Sequence, residues 1–206
     1  MSFESVQNGA SSPLLYTYRR CPYAMRARMA LLWAGHAFVA HEIVLRDKPE
    51  GLRMASPKAT VPVLVQPGGE VLEQSWDIVH WALTTPAPGA SAAHVWAMQT
   101  AWEQAQTRTI QSLQNTNDGR FKHHLDRYKY PQRFADASGD ATHHRDAAVA
   151  ALLAPLDSAL RTAPWLGGAS PCASDWGILP FVRQFAAIEP TWFAHLALPH
   201  MQAWLA

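Results

Sequence analysis

Cysteine is scarce in this 206-residue chain, which holds only Cys21 and Cys172, too few for a disulfide framework. An excess of charge of one sign is also missing, since 17 lysines and arginines face 16 aspartates and glutamates for a formal net charge of +1. That balance gives no overall field to gather nucleic acid or an anionic membrane, so the expected partner is a small molecule or a protein. No stretch approaches the roughly 18 uninterrupted apolar residues of a membrane span, and no charged segment followed by an apolar one has the form of a secretory signal. Internal repeats and low-complexity tracts are lacking too. The expectation is a reduced, cytoplasmic protein able to bury a sizeable core in one or two domains.

What the chain has in quantity is apolar surface. Hydrophobic residues make up 49% of it, with nine tryptophans among them; core packing is the expected use of most of these rings, and walls for an apolar ligand the use of the rest. Residues 1–12 are polar and small and read as a loose leader. Pro13 to Tyr18 is a short apolar run stopped by Arg19-Arg20, which predicts a buried strand. From Pro22 onward Met25, Met29, Leu32 and Trp33 recur at helical spacing until Gly35.

Cys21 stands at the junction of that strand and helix. Proline suits the first helical position because its fixed φ fits the turn and its missing N–H would be unpaired there anyway, so Cys21 falls at the N-cap. Free backbone N–H groups, the positive end of the helix dipole, and Arg19 and Arg20 all favour a thiolate, which predicts a lowered pKa and chemistry on a sulfur compound. Tyr16 and Tyr18 lie close enough in sequence to offer an activating hydroxyl instead.

A second strand is expected over Ala37–Leu45, completing a β-α-β unit. Arg46 to Glu50 forms a polar turn. Thr60 to Val65 reads as a third strand with Pro62 near its start, since proline inside a central strand would remove a ladder donor; a cis Val61–Pro62 bond is expected, with the Val61 backbone turned toward a ligand. Pro67-Gly68-Gly69 turns into a short strand, Glu70–Leu72, and a helix follows with Ser75 as N-cap and Trp76, Val79, His80 and Leu83 on one face. The stretch TTPAPGASA, Thr84 to Ala92, marks the domain boundary. Beyond it the pattern is helical: one long helix over Ala93–Asn117, an irregular charged stretch over 119–141, a helix from Thr142 to about Thr162 burying Val149, Leu152, Leu153, Leu156 and Leu160, and a last one over Asp175–Ala187. His123-His124 and His143-His144 suggest a metal site, but adjacent histidines point to different faces and no Cys or carboxylate completes a set, so no metal is expected. Arg120–Arg133, basic with interleaved aromatics, reads as a solvated linker in preference to a nucleic-acid surface.

Strand, Cys-Pro at a helix start, second strand, Val-Pro opening a third and a trailing Gln-Ser occur in the order of a thioredoxin-like fold, and the helical second half narrows the likeness. The chain resembles the glutathione S-transferase superfamily, and within it the cysteine-type, omega-like bacterial members, through Cys21-Pro22-Tyr23-Ala24, Lys48-Pro49-Glu50, Ser56-Pro57-Lys58, Val61-Pro62-Val63-Leu64 and Gln74-Ser75-Trp76-Asp77-Ile78. The resemblance implies an α/β thioredoxin-like N-terminal domain over residues 1–84, a linker over 85–92 and an all-α helical C-terminal domain over 93–206. It implies a homodimer and glutathione as co-substrate. Cys21 would handle the glutathione sulfur with Tyr23 beside it; Val61 with Pro62 would pair with the cysteinyl backbone, Gln74 and Ser75 would hold the γ-glutamyl end, and Lys48 would meet the glycyl carboxylate. Gln74 stands where many relatives carry glutamate, and Cys172 stands where they carry a Ser or Thr helix cap, so Ser170 or Ser174 is expected to cap instead.

Trp96, Gln99 and Trp102, with Tyr128, are candidates for an acceptor pocket, core packing being the alternative. Ala24 replaces the second cysteine of a Cys-x-x-Cys pair, which leaves one-thiol chemistry: thiol transfer, deglutathionylation or reduction through a mixed disulfide. Conjugation of an electrophile, as in detoxification, is the alternative reaction, and a non-enzymatic interaction or stress-regulatory module the alternative class.

Overall fold

The computed structural model describes residues 12–134 and 139–206; the expected leader falls almost entirely outside them. A four-stranded mixed sheet organises the first half. β1 (Leu14–Thr17) pairs in parallel with β2 (Val39–Glu42) and antiparallel with β3 (Val63–Val65), which pairs antiparallel with β4 (Val71–Leu72), giving the order β2-β1-β3-β4. α1 (Pro22–Trp33) links β1 to β2, α2 (Glu50–Ala55) lies before β3, and α3 (Ser75–Thr84) follows β4. The Val61–Pro62 bond is cis, and Pro62 lies just before β3.

The buried face of α1 is not the one its large side chains suggest. Ala24, Ala27, Ala30 and Leu31 are fully buried, whereas Leu32 is 68% exposed and Met25, Met29 and Trp33 are half-buried. Small residues let α1 approach α3, whose own buried face is Ile78, Val79, Ala82 and Leu83; His80 is exposed and Trp76 half-buried. Tyr16, Ile43, Leu52, Val63 and Val65 form a second cluster in this half. β2 is shorter than expected and exposed along its whole length, as the edge of the sheet.

By packing, the chain divides into one compact unit ending at Trp102 and another beginning at Glu103. The expected long helix is two: α4 (Ala92–Ala105), and α5 (Arg108–Thr116) restarting after Thr107. The stretch expected to be irregular contains α6 (Lys122–Lys129), entered through a π-helical turn at Asn117–Phe121. Its apolar stripe, Phe121, Leu125 and Tyr128, has helical spacing, but the charged residues between hide it. α7 (Ala141–Ala148), a second π-helical turn (Val149–Leu153) and α8 (Ala154–Ala159) run on from one another, with Leu152, Leu153, Leu156 and Leu160 buried as expected and Val149 half-buried. α9 (Ala173–Ala186), α10 (Pro190–Ala194) and α11 (Pro199–Leu205) complete the fold.

α9 starts two residues earlier than expected, with Cys172 itself at the N-cap. Its start is fixed by Asp175, which is 1% exposed. One carboxylate oxygen accepts the Cys172 N–H at 2.8 Å; the other accepts the Leu166 N–H at 3.0 Å and the Trp204 indole N–H at 2.7 Å. Three donors, two from the loop before α9 and one from α11, thus converge on one buried carboxylate, which joins that loop to α11. Asp175→Ala would leave all three unpaired, and we expect it to lower unfolding stability by about 3 kcal/mol, read as an earlier urea midpoint at unchanged slope.

Candidate functional site

The turn between β1 and α1 is closed by the Cys21 N–H donating to the Tyr18 carbonyl at 3.0 Å, and the helix begins when the Met25 N–H donates to the Cys21 carbonyl at 2.9 Å. Cys21 is the N-cap residue in extended conformation, with Pro22 at the first helical position, and its side chain makes no cap hydrogen bond. The thiol instead points to Val61, donating to its carbonyl at an Sγ–O distance of 3.6 Å. Two sequence-distant candidates, Cys21 and Val61, therefore meet, and Cys21 is partly exposed.

Two cationic side chains brace this turn. The Arg19 N–H and Nε donate to Glu42 at 2.9 and 3.1 Å, tying the turn to the end of β2. Partial desolvation opposes ionisation of Glu42, but the Arg19 donors and charge outweigh it and hold the carboxyl below its usual value. From α1, Arg28 reaches back to the Thr17 hydroxyl and to the Tyr18 and Arg19 carbonyls. Burial lowers the Arg28 pKa, while Glu42 and Cys21 act in the opposite direction.

A second group of contacts starts one turn along α1. Arg26 is 2% exposed, its Nε donates to the Ser75 hydroxyl at 3.0 Å, and its guanidinium lies 5.0 Å from the Tyr23 ring centroid and 5.4 Å from that of Trp76. Ser75 was expected to cap α3. Gln74 takes the N-cap position, and Ser75, the first helical residue, accepts from Arg26 because a buried guanidinium needs an acceptor. Gln74 is exposed and Lys48 half-buried. Glu73, beside Gln74, accepts the Ser56 hydroxyl at 2.9 Å and lies 3.6 Å from the Lys58 ammonium. Sequence reasoning missed Arg26, Arg28 and Glu73; the only local trace of Arg26 is an arginine bordering a stripe of alanines.

Trp102 lies against α3, 5.7 Å from the Trp76 ring and 4.5 Å from that of His80, whereas Trp96 is 69% exposed and Gln99 exposed. Tyr128, in the second unit, is buried against Phe185 at 5.2 Å; burial, with the Glu189 carboxylate nearby, pushes its hydroxyl up to about 12. Tyr16 belongs to the core and burial raises its pKa, which suits it poorly to activating a thiol. Tyr18 packs half-buried against the same cluster.

Residues 15–90 match the family model of the glutathione S-transferase N-terminal domain. The fold of the chain is that of the glutathione transferases, a thioredoxin-like domain followed by a helical region. Among solved structures, an unclassified glutathione S-transferase from Bombyx mori aligns over 95% of this chain and 86% of its own with a TM-score of 0.74 at 17% identity. A glutathione transferase family member from Pseudomonas fluorescens, solved with two glutathiones bound, aligns over 98% and 91% with a TM-score of 0.69 at 16% identity. A trimeric glutathione transferase from Leishmania aligns over 94% of this chain with a TM-score of 0.67 at 22% identity, and the chain spans only 42% of that protein's length. No curated protein matches.

On this glutathione transferase fold the two thiols are unlike. Cys172 is fully buried, and burial, then the Asp175 charge, pushes its pKa up to about 12. A thiol-directed alkylating reagent at neutral pH is therefore expected to modify one cysteine per native chain, at position 21, and two in urea, as counted by intact mass. Ser75→Ala would remove the hydroxyl that accepts from the buried Arg26 Nε, and we expect a stability loss of about 1–3 kcal/mol by urea unfolding.

Proposed function

We propose that the chain is a glutathione transferase-like enzyme whose Cys21 performs glutathione-dependent thiol transfer. The observation that carries this reading is the placement of Cys21 at the α1 N-cap with its Sγ 3.6 Å from the Val61 carbonyl, beside the start of β3. A partly exposed sulfur there has the helix dipole behind it and an extended backbone beside it, a setting suited to a peptide thiol. Residues 1–84 form the glutathione-binding domain in this reading, and residues 93–206 face the acceptor.

Glutathione lies along Val61 and Pro62, its γ-glutamyl end at Gln74 and Ser75 near the first-turn N–H groups of α3, and its glycyl carboxylate at Lys48, with Tyr23 flanking the sulfur. Arg26 positions Ser75 from behind. Trp96, Gln99, Trp102 and Tyr128 are proposed for the acceptor side, and the enzyme works as a cytoplasmic homodimer. The Cys21 thiolate attacks the glutathionyl sulfur of a mixed disulfide; the Cys21–glutathione bond forms as the old S–S bond breaks, and the partner leaves as a thiolate that takes up a proton. A second glutathione, as thiolate, attacks the bound glutathionyl sulfur and releases glutathione disulfide and the Cys21 thiolate. Ala24 is buried and carries no sulfur, so the resolving thiol comes from outside.

Incubation with glutathione disulfide is expected to add one glutathione at Cys21, and Cys21→Ser to abolish both the adduct and thiol-transferase activity. An adduct confined to Cys172 would defeat the reading. Retention of conjugating activity in Cys21→Ala, with loss in Tyr18→Phe, would establish the alternative, and failure to bind immobilised glutathione would favour an interaction module. Lys48→Ala is expected to weaken glutathione binding roughly tenfold by calorimetry, the worth of one charge-assisted contact.

A further inference from the structure

The two histidine pairs fall on α6 and α7, which pack together in the second unit. Neighbouring residues of one helix point about 100° apart, yet the packing of two helices gathers what each helix alone would separate. His124 Nδ1 lies 2.9 Å from His144 Nδ1, and one ring nitrogen from each of His123, His124 and His144 lies within 4.8 Å of the others. His144 is 4% exposed, and its Nε2 is buried with no hydrogen-bond partner. His143 rounds off the cluster, its ring 5.2 Å from that of His144. Gly139, at φ +97°, makes room for it: a Cβ there would meet the His143 ring at 2.4 Å.

We propose that His123, His124 and His144 form a binding site for a divalent transition ion of the zinc class, held through three imidazole nitrogens with solvent completing the shell. A tetrahedral zinc site with bonds near 2.05 Å sets its ligand nitrogens about 3.3 Å apart. The His124–His144 pair is already near that spacing, and exposed His123 closes the remainder by side-chain rotation. His123 Nδ1 lies 3.0 Å from Arg127 Nη1, so this contact yields or His123 ligates through its other nitrogen.

Burial, reinforced by the neighbouring imidazoles and by Arg120 for His124 and Arg127 for His144, lowers both pKa values, with Asp140 acting in the opposite sense on His144. Neutral rings are the ligating form. A neutral ring has one nitrogen free of hydrogen, so each imidazole offers a single lone pair to the ion. Nitrogen ligands select zinc, nickel or copper over magnesium and calcium, which require oxygen. Bound there, the ion fastens α6 to α7.

The test uses the untagged full chain, stripped with chelator and titrated with cobalt(II). The expected result is one saturable ion per chain with visible bands of nitrogen and oxygen coordination, displacement by zinc, and a higher thermal midpoint with zinc. His123→Ala and His124→Gln, at exposed and half-buried positions, each weaken binding at least about tenfold and remove the thermal gain. His144→Ala adds a third variant, but the outcome does not depend on its folding. Absence of saturable binding, equal binding in those two variants, or a sulfur-to-cobalt charge-transfer band placing the ion on Cys21 overturns the proposal.

Discussion

The site depends on one backbone constraint: Pro22 opens α1 and thereby holds Cys21 outside the helix, extended, at its N-terminal end. Were Cys21 one residue further along, its sulfur would ride on the helical cylinder and lose its approach to β3. Held where it is, the thiol spans from α1 to the Val61 carbonyl and joins two segments 40 residues apart. The braces from Arg19 to Glu42 and from Arg28 to the turn carbonyls serve this placement, since a helix entry with loose backbone would not aim a side chain. The surface ion pair adds little stability by itself, with Arg19 mostly exposed. Its contribution is geometric.

Arg26 carries the second part of the design. Taking a guanidinium out of water is costly unless its donors and charge are met, and here a hydroxyl from α3 and two aromatic faces share that task. The same contact fixes Ser75 relative to α1, so the start of α3 and the start of α1 are held in one frame. Glu73 does something similar on the other side of Gln74 through Ser56 and Lys58. Gln74 itself is left exposed between two anchored neighbours.

Local chemistry was readable from the chain, and partnerships between distant elements were not. The strand before Cys21, the cap position and the cis Val61–Pro62 bond each follow from a few adjacent residues. Arg26 escaped because its burial depends on Ser75, 49 positions away. The face of α1 was misjudged because close packing against α3 favours alanine over the larger Met25 and Leu32. α6 was hidden by its charges, and the Cys172 cap was discounted although Asp175 supplies the stronger half of it. The histidine pairs looked divergent because nothing in either pair reveals which helix the other will pack against.

The two π-helical turns set what those helices present to their surroundings. Each takes up one residue that a plain α-turn would not, so every side chain downstream is set back by about 100° around the axis. One precedes α6 and the other precedes α8. Which residues of these helices look inward is therefore decided by a count of residues in a single wide turn, and shortening that turn by one would index a whole helix round while leaving its composition untouched.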